Sequence, residues 1–423
     1  MKKEGVLKFV LFSSVVLSFS MASAQEKAEL YNTGKMSVSA NEVLFVSGEF
    51  VNSTQGDFVN SGDIYFLDDF SNTGAFVFSR SVKASQVFFE QLSEAKAKQK
   101  ISGGANSTLF EDVIFNSNGI DLENEISIAG KAYFERGHVV VNTPLSGSIT
   151  FLESSSVEAV GDESHVVGMA DLDAKKEMEM PIGDGTYYRP ITLGESSGLQ
   201  NLFQTQYKRV NPLEGRAHTV KNAIVDINNE EYWEVKNEAT NGAIILTLSW
   251  NEQTTPSFLL TNPEKSLHIV RWDDKGLKWI DLGGIVDVST KTVKTPVVVD
   301  AQGVFTLALV DADYNSELKI YNAVSPDGDG KNDYFIIENI DKYPNNSVQI
   351  VNRWGSKVFD TTKYDPTGDG NVNVFRGKAE GKGVLLSGNL PSGTYYYIVK
   401  YEVQTAKGSE WITKTGYLHL ENN

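Results

Sequence analysis

Tyr31-Asn32-Thr33-Gly34, Phe50-Val51-Asn52-Ser53, Phe58-Val59-Asn60-Ser61-Gly62 and Phe70-Ser71-Asn72-Thr73-Gly74 are variants of one phrase. An aromatic residue is followed one or two places later by Asn, and then in most copies by Gly. Phe115-Asn116-Ser117-Asn118-Gly119 continues it less regularly. Asn and Gly tolerate the left-handed and turn conformations in which a strand must bend. Between the copies lie short alternating segments such as Asp63-Ile64-Tyr65-Phe66-Leu67 and Ile126-Ser127-Ile128-Ala129. Strands this short, with turn residues at each interval, predict a β-solenoid over residues 25–200. Its apolar alternates would fill the inside and its Asn and Gly residues the corners, with stacked Asn side chains hydrogen-bonded along the stack. The competing architecture is a β-sandwich with Asn-Gly turns, and parallel rungs against face-packed antiparallel sheets would decide between them.

Outward from the repeat, residues 93–100 break the pattern with Glu94, Lys96, Lys98 and Lys100 and read as a surface insertion. Pro181-Ile182-Gly183-Asp184-Gly185-Thr186-Tyr187-Tyr188-Arg189-Pro190 is a compact turn that closes the solenoid or joins it to the next unit of the chain. The other reading is a binding loop with Tyr187, Tyr188 and Arg189 as contacts. From 201 to 311 strands lengthen and Trp enters, as in Ile244-Ile245-Leu246-Thr247-Leu248-Ser249-Trp250. His268-Ile269-Val270-Arg271-Trp272, the turn Asp273-Asp274-Lys275-Gly276 and Leu277-Lys278-Trp279-Ile280 form a hairpin signal, and Val304 to Leu309 closes the unit. This segment predicts an antiparallel sandwich with its Trp residues in the core. The polar stretch Val310 to Ser316 is a linker, and a last module spans 317–423.

The 423 residues carry a net charge of −17, which repels nucleic acid and anionic lipid as partners. There is no Cys. Disulfides, thiolate zinc sites, Cys nucleophiles and a lipidated N-terminal Cys are therefore excluded. At the start, Lys2, Lys3 and Lys8 precede an uncharged, largely apolar run over residues 9–19, followed by Ala22-Ser23-Ala24. This is the pattern of a secretory signal peptide over 1–24, with cleavage expected before Gln25. The run is shorter than the ~20 residues a membrane span needs. No transmembrane segment is expected after cleavage.

In the last module, Asn322-Ala323-Val324-Ser325-Pro326-Asp327-Gly328-Asp329-Gly330-Lys331-Asn332-Asp333-Tyr334-Phe335 opens the unit. Tyr343-Pro344-Asn345-Asn346 and Val348-Gln349-Ile350-Val351-Asn352-Arg353-Trp354-Gly355 lie in its middle, and Leu390-Pro391-Ser392-Gly393-Thr394-Tyr395-Tyr396-Tyr397 and Lys414-Thr415-Gly416-Tyr417-Leu418 towards its end. In this order they resemble the gliding-motility-associated C-terminal domain, the type B sorting domain of type IX secretion in Bacteroidota. Asp327 stands where that family commonly has Asn, and Phe375-Arg376-Gly377 where it has Trp-Asp-Gly. The sequence ends Glu421-Asn422-Asn423, without a basic tail. The resemblance implies a small β-sandwich that addresses the chain to the outer-membrane type IX machinery. It also implies a secreted or surface location on a Gram-negative cell. Ser325, Pro326, Gly328, Asp329, Gly330, Asn332, Asp333, Asn352, Arg353, Trp354, Gly355, Gly393, Thr394, Tyr395, Gly416 and Tyr417 are the sorting-motif residues it implies.

Chemistry is sparse. Asp327, Asp329, Asp333 and Glu338 occupy four oxygen-donor positions of a calcium loop counted from Asp327. Lys331 and Asn332 fill the fifth and sixth positions, where an EF-hand has an oxygen ligand and Gly. Tight Asx and Gly turns explain the run without a metal, and no cofactor is expected. A second run from Asp365 has Arg376 in the twelfth position, the wrong sign for a cation ligand. His138, His165, His218, His268 and His419 show no paired spacing, and there is no G-x-S-x-G and no P-loop. The enzyme alternative is a solenoid polysaccharide lyase or glycosidase, which needs converging carboxylates. Asp121, Glu123 and Glu125 alternate with Leu122 and Asn124 and read as a solvated outer face. The expected molecule is all-β, noncatalytic and extracellular, in contact with matrix, glycan or another unidentified ligand.

Overall fold

The computed structural model describes residues 29–81, 83–91, 97–104, 108–196, 202–218, 223–237, 243–311, 318–381, 384, 388–405 and 408–422. The predicted signal segment 1–24 lies outside them, as do 92–96 of the insertion and 312–317 of the linker region. No helix among the described residues is long and apolar enough to cross a membrane.

The N-terminal region is a three-sided parallel β-solenoid. One complete turn runs Glu49–Asn52, Asp57–Asn60 and Asp63–Phe66, each strand pairing in parallel with its equivalents in the turns before and after. The third side holds 6 strands, so there are 6 complete turns, from Glu29–Asn32 to Ser156–Glu158. A seventh begins with Val166–Val167 and Ala170–Asp173. Up to Val167 every ladder among the described residues is parallel; the expected span to 200 overruns the coil, because Ala170–Asp173 pairs antiparallel with Leu202–Lys208, and Met178–Met180 with Ile191–Leu193.

Strand alternation sends every second residue inward. Phe50, Phe58, Phe66, Phe70, Phe76 and Phe89 are all fully buried and pack ring on ring, as in the stacked pair Phe58–Phe76 at 4.8 Å. Burying each ring stabilises the fold by about 2–3 kcal/mol relative to exposure. Asn32, Asn52 and Asn72 sit at the corner after the first side, whereas Asn60 ends a second-side strand and Asn116 a third-side one. Asn32 Nδ2 donates to Asn52 Oδ1 at 2.8 Å, and Asn52 Nδ2 to Asn72 Oδ1 at 2.8 Å. Asn72 Nδ2 then donates to Thr108 Oγ1 at 2.9 Å. The ladder stops because Gly103 occupies the next register position. A Cβ there would lie 1.9 Å from the Asn72 carbonyl oxygen and 2.7 Å from Asn124 Nδ2. Gly103 thus leaves room for Asn124, which reaches the same carbonyl at 3.4 Å.

No gap separates solenoid from sandwich. Ala170–Asp173, on the second side, pairs antiparallel with Leu202–Lys208, and that sheet runs on through Tyr232–Asn237, Gly303–Val310, Leu267–Asp273 and Lys278–Asp281. Opposite it lies a 5-stranded sheet made of Met178–Met180, Ile191–Leu193, Leu246–Ser249, Thr292–Lys294 and Ile285–Asp287. One continuous core joins Phe50 to Trp233 and Leu307. The predicted hairpin pairs Trp272 with Trp279, and Trp233, Trp250, Trp272 and Trp279 are all buried.

At the junction Arg189 of the compact turn is buried, while Thr186 is exposed and Tyr187 and Tyr188 are half-buried. Arg189 and Glu231 are 1% and 0% accessible and form a two-pronged ion pair at 2.8 and 3.1 Å. Arg189 also donates to Ser249 O and Oγ, while Tyr207 and Thr255 donate to Glu231 at 2.6 Å each. The guanidinium lies 5.0 Å from the Trp233 ring centroid, and the Trp233 indole N–H donates to the Arg189 carbonyl. Burial alone would raise the Glu231 carboxyl; Arg189 and these hydroxyls hold it below the usual range.

The C-terminal module has its own core, built from Phe335, Val348, Ile350, Tyr364, Phe375, Tyr395, Val399, Tyr401, Leu418 and Leu420. Its 7-stranded sheet runs Ala323–Val324, Gly408–Leu420, Gly393–Thr405, Asn346–Val351, Lys357–Thr362, Lys378–Gly381 and Gly388–Asn389. A short ladder of Lys319–Ile320 with Ile337–Glu338 accompanies it.

Candidate functional site

Four of the five family-like stretches, scattered over the sequence of the last module, meet at one end of its sheet; Tyr343 to Asn346 lies at the other end, where Asn346 pairs with Tyr401. Val351 pairs with Tyr396, and Tyr396 with Tyr417. Three residues further along, Gly393 pairs with Leu420, and Leu420 with Val324. Ser325-Pro326 therefore follows Val324, and Asn352-Arg353-Trp354-Gly355 follows Val351, on the same edge as Gly393, Thr394, Tyr395, Gly416 and Tyr417. The sequence ordered these motifs but did not show that they converge; strand pairing supplies that.

Each element of this end has a local cause. Asn352 folds the 352–356 turn, its Oδ1 accepting the Trp354 and Ser356 amides at 3.0 and 2.9 Å. Gly355 takes φ +78°, and a Cβ there would lie 3.3 Å from Ile245, so the turn leans on the middle sandwich. Trp354 is 68% exposed with the Arg353 guanidinium 4.2 Å from its ring centroid. Gly416 faces Tyr397 across the hairpin, where a Cβ would lie 2.4 Å from the phenol oxygen. Burial, then Tyr417, pushes the Tyr397 phenol up to about 12. Tyr395 is buried and its hydroxyl donates to the Pro391 carbonyl at 2.8 Å. Phe375, in the position of the family's Trp, is fully buried against Phe359 at 5.3 Å.

The acidic loop brings Asp327, Asp329 and Asp333 together, with carboxylate oxygens within 4.8 Å of one another. Glu338 is outside this group; its carboxylate accepts the Tyr321 hydroxyl and lies 3.9 Å from Lys319 Nζ. Backbone amides occupy the three aspartates. Gly328 and Gly330 donate to Asp333 at 2.7 and 2.9 Å, Asp329 to Asp327 at 3.1 Å, and Lys331 to Asp329 at 2.8 Å. Ser325 N–H donates to the Asn332 carbonyl, which closes the loop with Asn332 at φ +54°. In the second acidic run, Arg376 donates to the Gly370 carbonyl and lies over Tyr334.

Asp121, Glu123 and Glu125 do not line one strand. The first side ends at Leu122 and the second begins at Glu125, so the chain turns a corner between them. Lys98 pairs with Asp121 at 3.4 Å and Lys100 with Glu123 at 3.2 Å. Sequence reasoning missed a different cluster. The His138 and His165 rings meet at 4.3 Å between centroids, tilted by 52°, on the corner between the third and first sides. His138 lines a cleft of about 500 Å³ together with Lys98, Asn118, Arg136, Glu163 and Asp184, and His165 packs behind it. His165 is satisfied as a neutral ring, with Nδ1 on the Gly161 carbonyl at 2.8 Å and Nε2 accepting the Gly185 amide at 3.0 Å. His138 Nδ1 is buried with no hydrogen-bond partner. Burial lowers the pKa of both rings. The signal available in sequence was the solenoid period, which places residues one turn apart side by side.

Residues 318–420 match the protein family described as the CHU_C type IX secretion signal domain. No curated protein and no solved structure matches the chain. The match covers the module whose motifs converge, and it marks a secreted or surface protein exported by type IX secretion and so in contact with that machinery. The domain implies a Gram-negative bacterium of the Bacteroidota.

Proposed function

We propose that this is a noncatalytic exported protein whose solenoid and sandwich form a rigid ectodomain for adhesion, matrix or glycan contact. The C-terminal module is its address. The observation that carries the reading is the single core running from solenoid through sandwich, beside a separate core for the module. A rigid body joined to an independently packed signal suits display better than turnover. Deleting 317–423 should leave the ectodomain folded and held in the periplasm. Fused behind a signal peptide and a fluorescent reporter, 317–423 should carry the reporter outside a host with type IX machinery. An intact, folded fusion retained in the periplasm would overturn the address.

The alternative is a solenoid polysaccharide lyase or glycosidase, with the cleft lined by His138, Glu163 and Asp184 as its site. Incubating the exported protein with a panel of acidic and neutral polysaccharides tests the choice. Product release that disappears in His138→Ala would establish the enzyme; no release across the panel supports the binding role.

A further inference from the structure

The first turn of the solenoid ends in three strand edges. Glu29–Asn32, Lys35–Val38 and Val43–Val46 are the terminal strands of the three sides, and no described residue pairs with their outer edges. The core is open at the same place. Leu30, Met36 and Leu44 are only partly buried, whereas their register partners Phe50, Phe58 and Ile64 are 0% exposed. Tyr31, Val43 and Phe45 are 56, 53 and 65% exposed on the outside of that turn. The other end is covered, since Ala170–Asp173 continues into the sandwich through Leu202–Lys208. Unpaired edges around an apolar plug are a template for pairing.

We propose that this end docks on the same end of a second copy, as a closed two-fold dimer. Three strand edges set as a triangle around an apolar plug fit another such triangle, and the described residues leave one solenoid end uncovered. A two-fold axis across the first side makes every new pairing antiparallel: the first side meets itself, and the second meets the third. Facing residues must point to the same side of the sheet, and setting the open core residues Leu30, Met36 and Leu44 against one another then chooses the register. Leu30 falls on Leu30 of the second copy, Met36 on Leu44 and Lys35 on Phe45. Glu29 falls opposite Tyr31, so no like charges face each other. The rings suit this contact as well. Phe45 stacks on Tyr65 at 4.5 Å, and Tyr65 on Phe88 at 4.2 Å, leaving one face of Phe45 without a ring. Lys35 of the second copy would cover that face with its ammonium.

The exported protein should run at twice the chain mass by light scattering. Phe45→Lys sets Lys against Lys twice in each dimer and should raise the dissociation constant at least about tenfold. An unchanged circular dichroism spectrum would show that the variant folds. Because the chain has no Cys, Leu30→Cys adds a single thiol on the two-fold axis. It should form a disulfide dimer on mild oxidation, and Thr186→Cys, at the other end of the solenoid, should not. A monomer at every attainable concentration, with no Leu30→Cys cross-link, overturns the proposal. Open filaments overturn it too, because a two-fold contact closes. A monomer whose first-turn amides resist hydrogen exchange would instead place residues before Glu29 over the edges, and that also overturns it.

Discussion

Arg189 and Glu231 meet where two architectures join, and their cost and value can be separated by substitution. Glu231→Gln leaves a guanidinium buried without its counter-charge and should lower stability by about 3–5 kcal/mol. Replacing both, as Arg189→Met with Glu231→Leu, removes the two buried charges together and should recover most of that loss. Urea unfolding of the three proteins measures the difference. The sequence marked Arg189 only as one residue of an aromatic turn, because its partner lies 42 positions away. The asparagine ladder was more legible, since its spacing is the repeat itself. Asn52→Ala removes the middle rung and strands a donor on Asn32 and an acceptor on Asn72, at about 1–3 kcal/mol. Asn32→Ala, at the open end, breaks one ladder bond and should cost less, as compared by urea midpoints.

Between single residues and the molecule lie the corners and hairpins, where order along the chain becomes contact in space. The His138–His165 pair is such a contact. Both rings have a lowered pKa from burial, while in the unfolded chain they titrate near the ordinary ~6.5. Below that value the unfolded state binds more protons than the folded one, so stability falls as pH drops from about 6.5. His138→Gln with His165→Gln should flatten this slope in melting temperatures taken across the range. At the hairpin, Gly416→Val drives a branched side chain into the Tyr397 phenol and should destabilise the C-terminal module by about 1–3 kcal/mol. The solenoid transition should not move, because the two cores are separate. Scanning calorimetry resolves the two. The acidic loop is folded by its own amides, so added calcium should leave the melting of the module unchanged; a rise that EDTA reverses would make it a metal site. Strand character at these corners was readable from alternation, but which histidines touch was not, because insertions make the turns unequal in length.

At the scale of the molecule, the sequence distinguished three textures, and the structure joins the first two. The aromatic-Asn-Gly phrase is local and specifies a parallel coil, whereas the continuous sheet through Ala170–Asp173 and Leu202–Lys208 depends on long-range pairing that no short window contains. The last module was legible because its motifs are dense, although their gathering at one end of the sheet needed the strand register. The three-sided turn has a further consequence. Each circuit of the chain returns to the side it left, displaced along the axis by one strand spacing, about 4.8 Å. Duplicating one circuit would lengthen the rod by that step and keep its girth, and both tips would keep their form. The distance from the first turn to the sorting module is therefore quantised: the molecule is a gauge whose length is set by counting, and its reach can change in whole increments without redesign of either end.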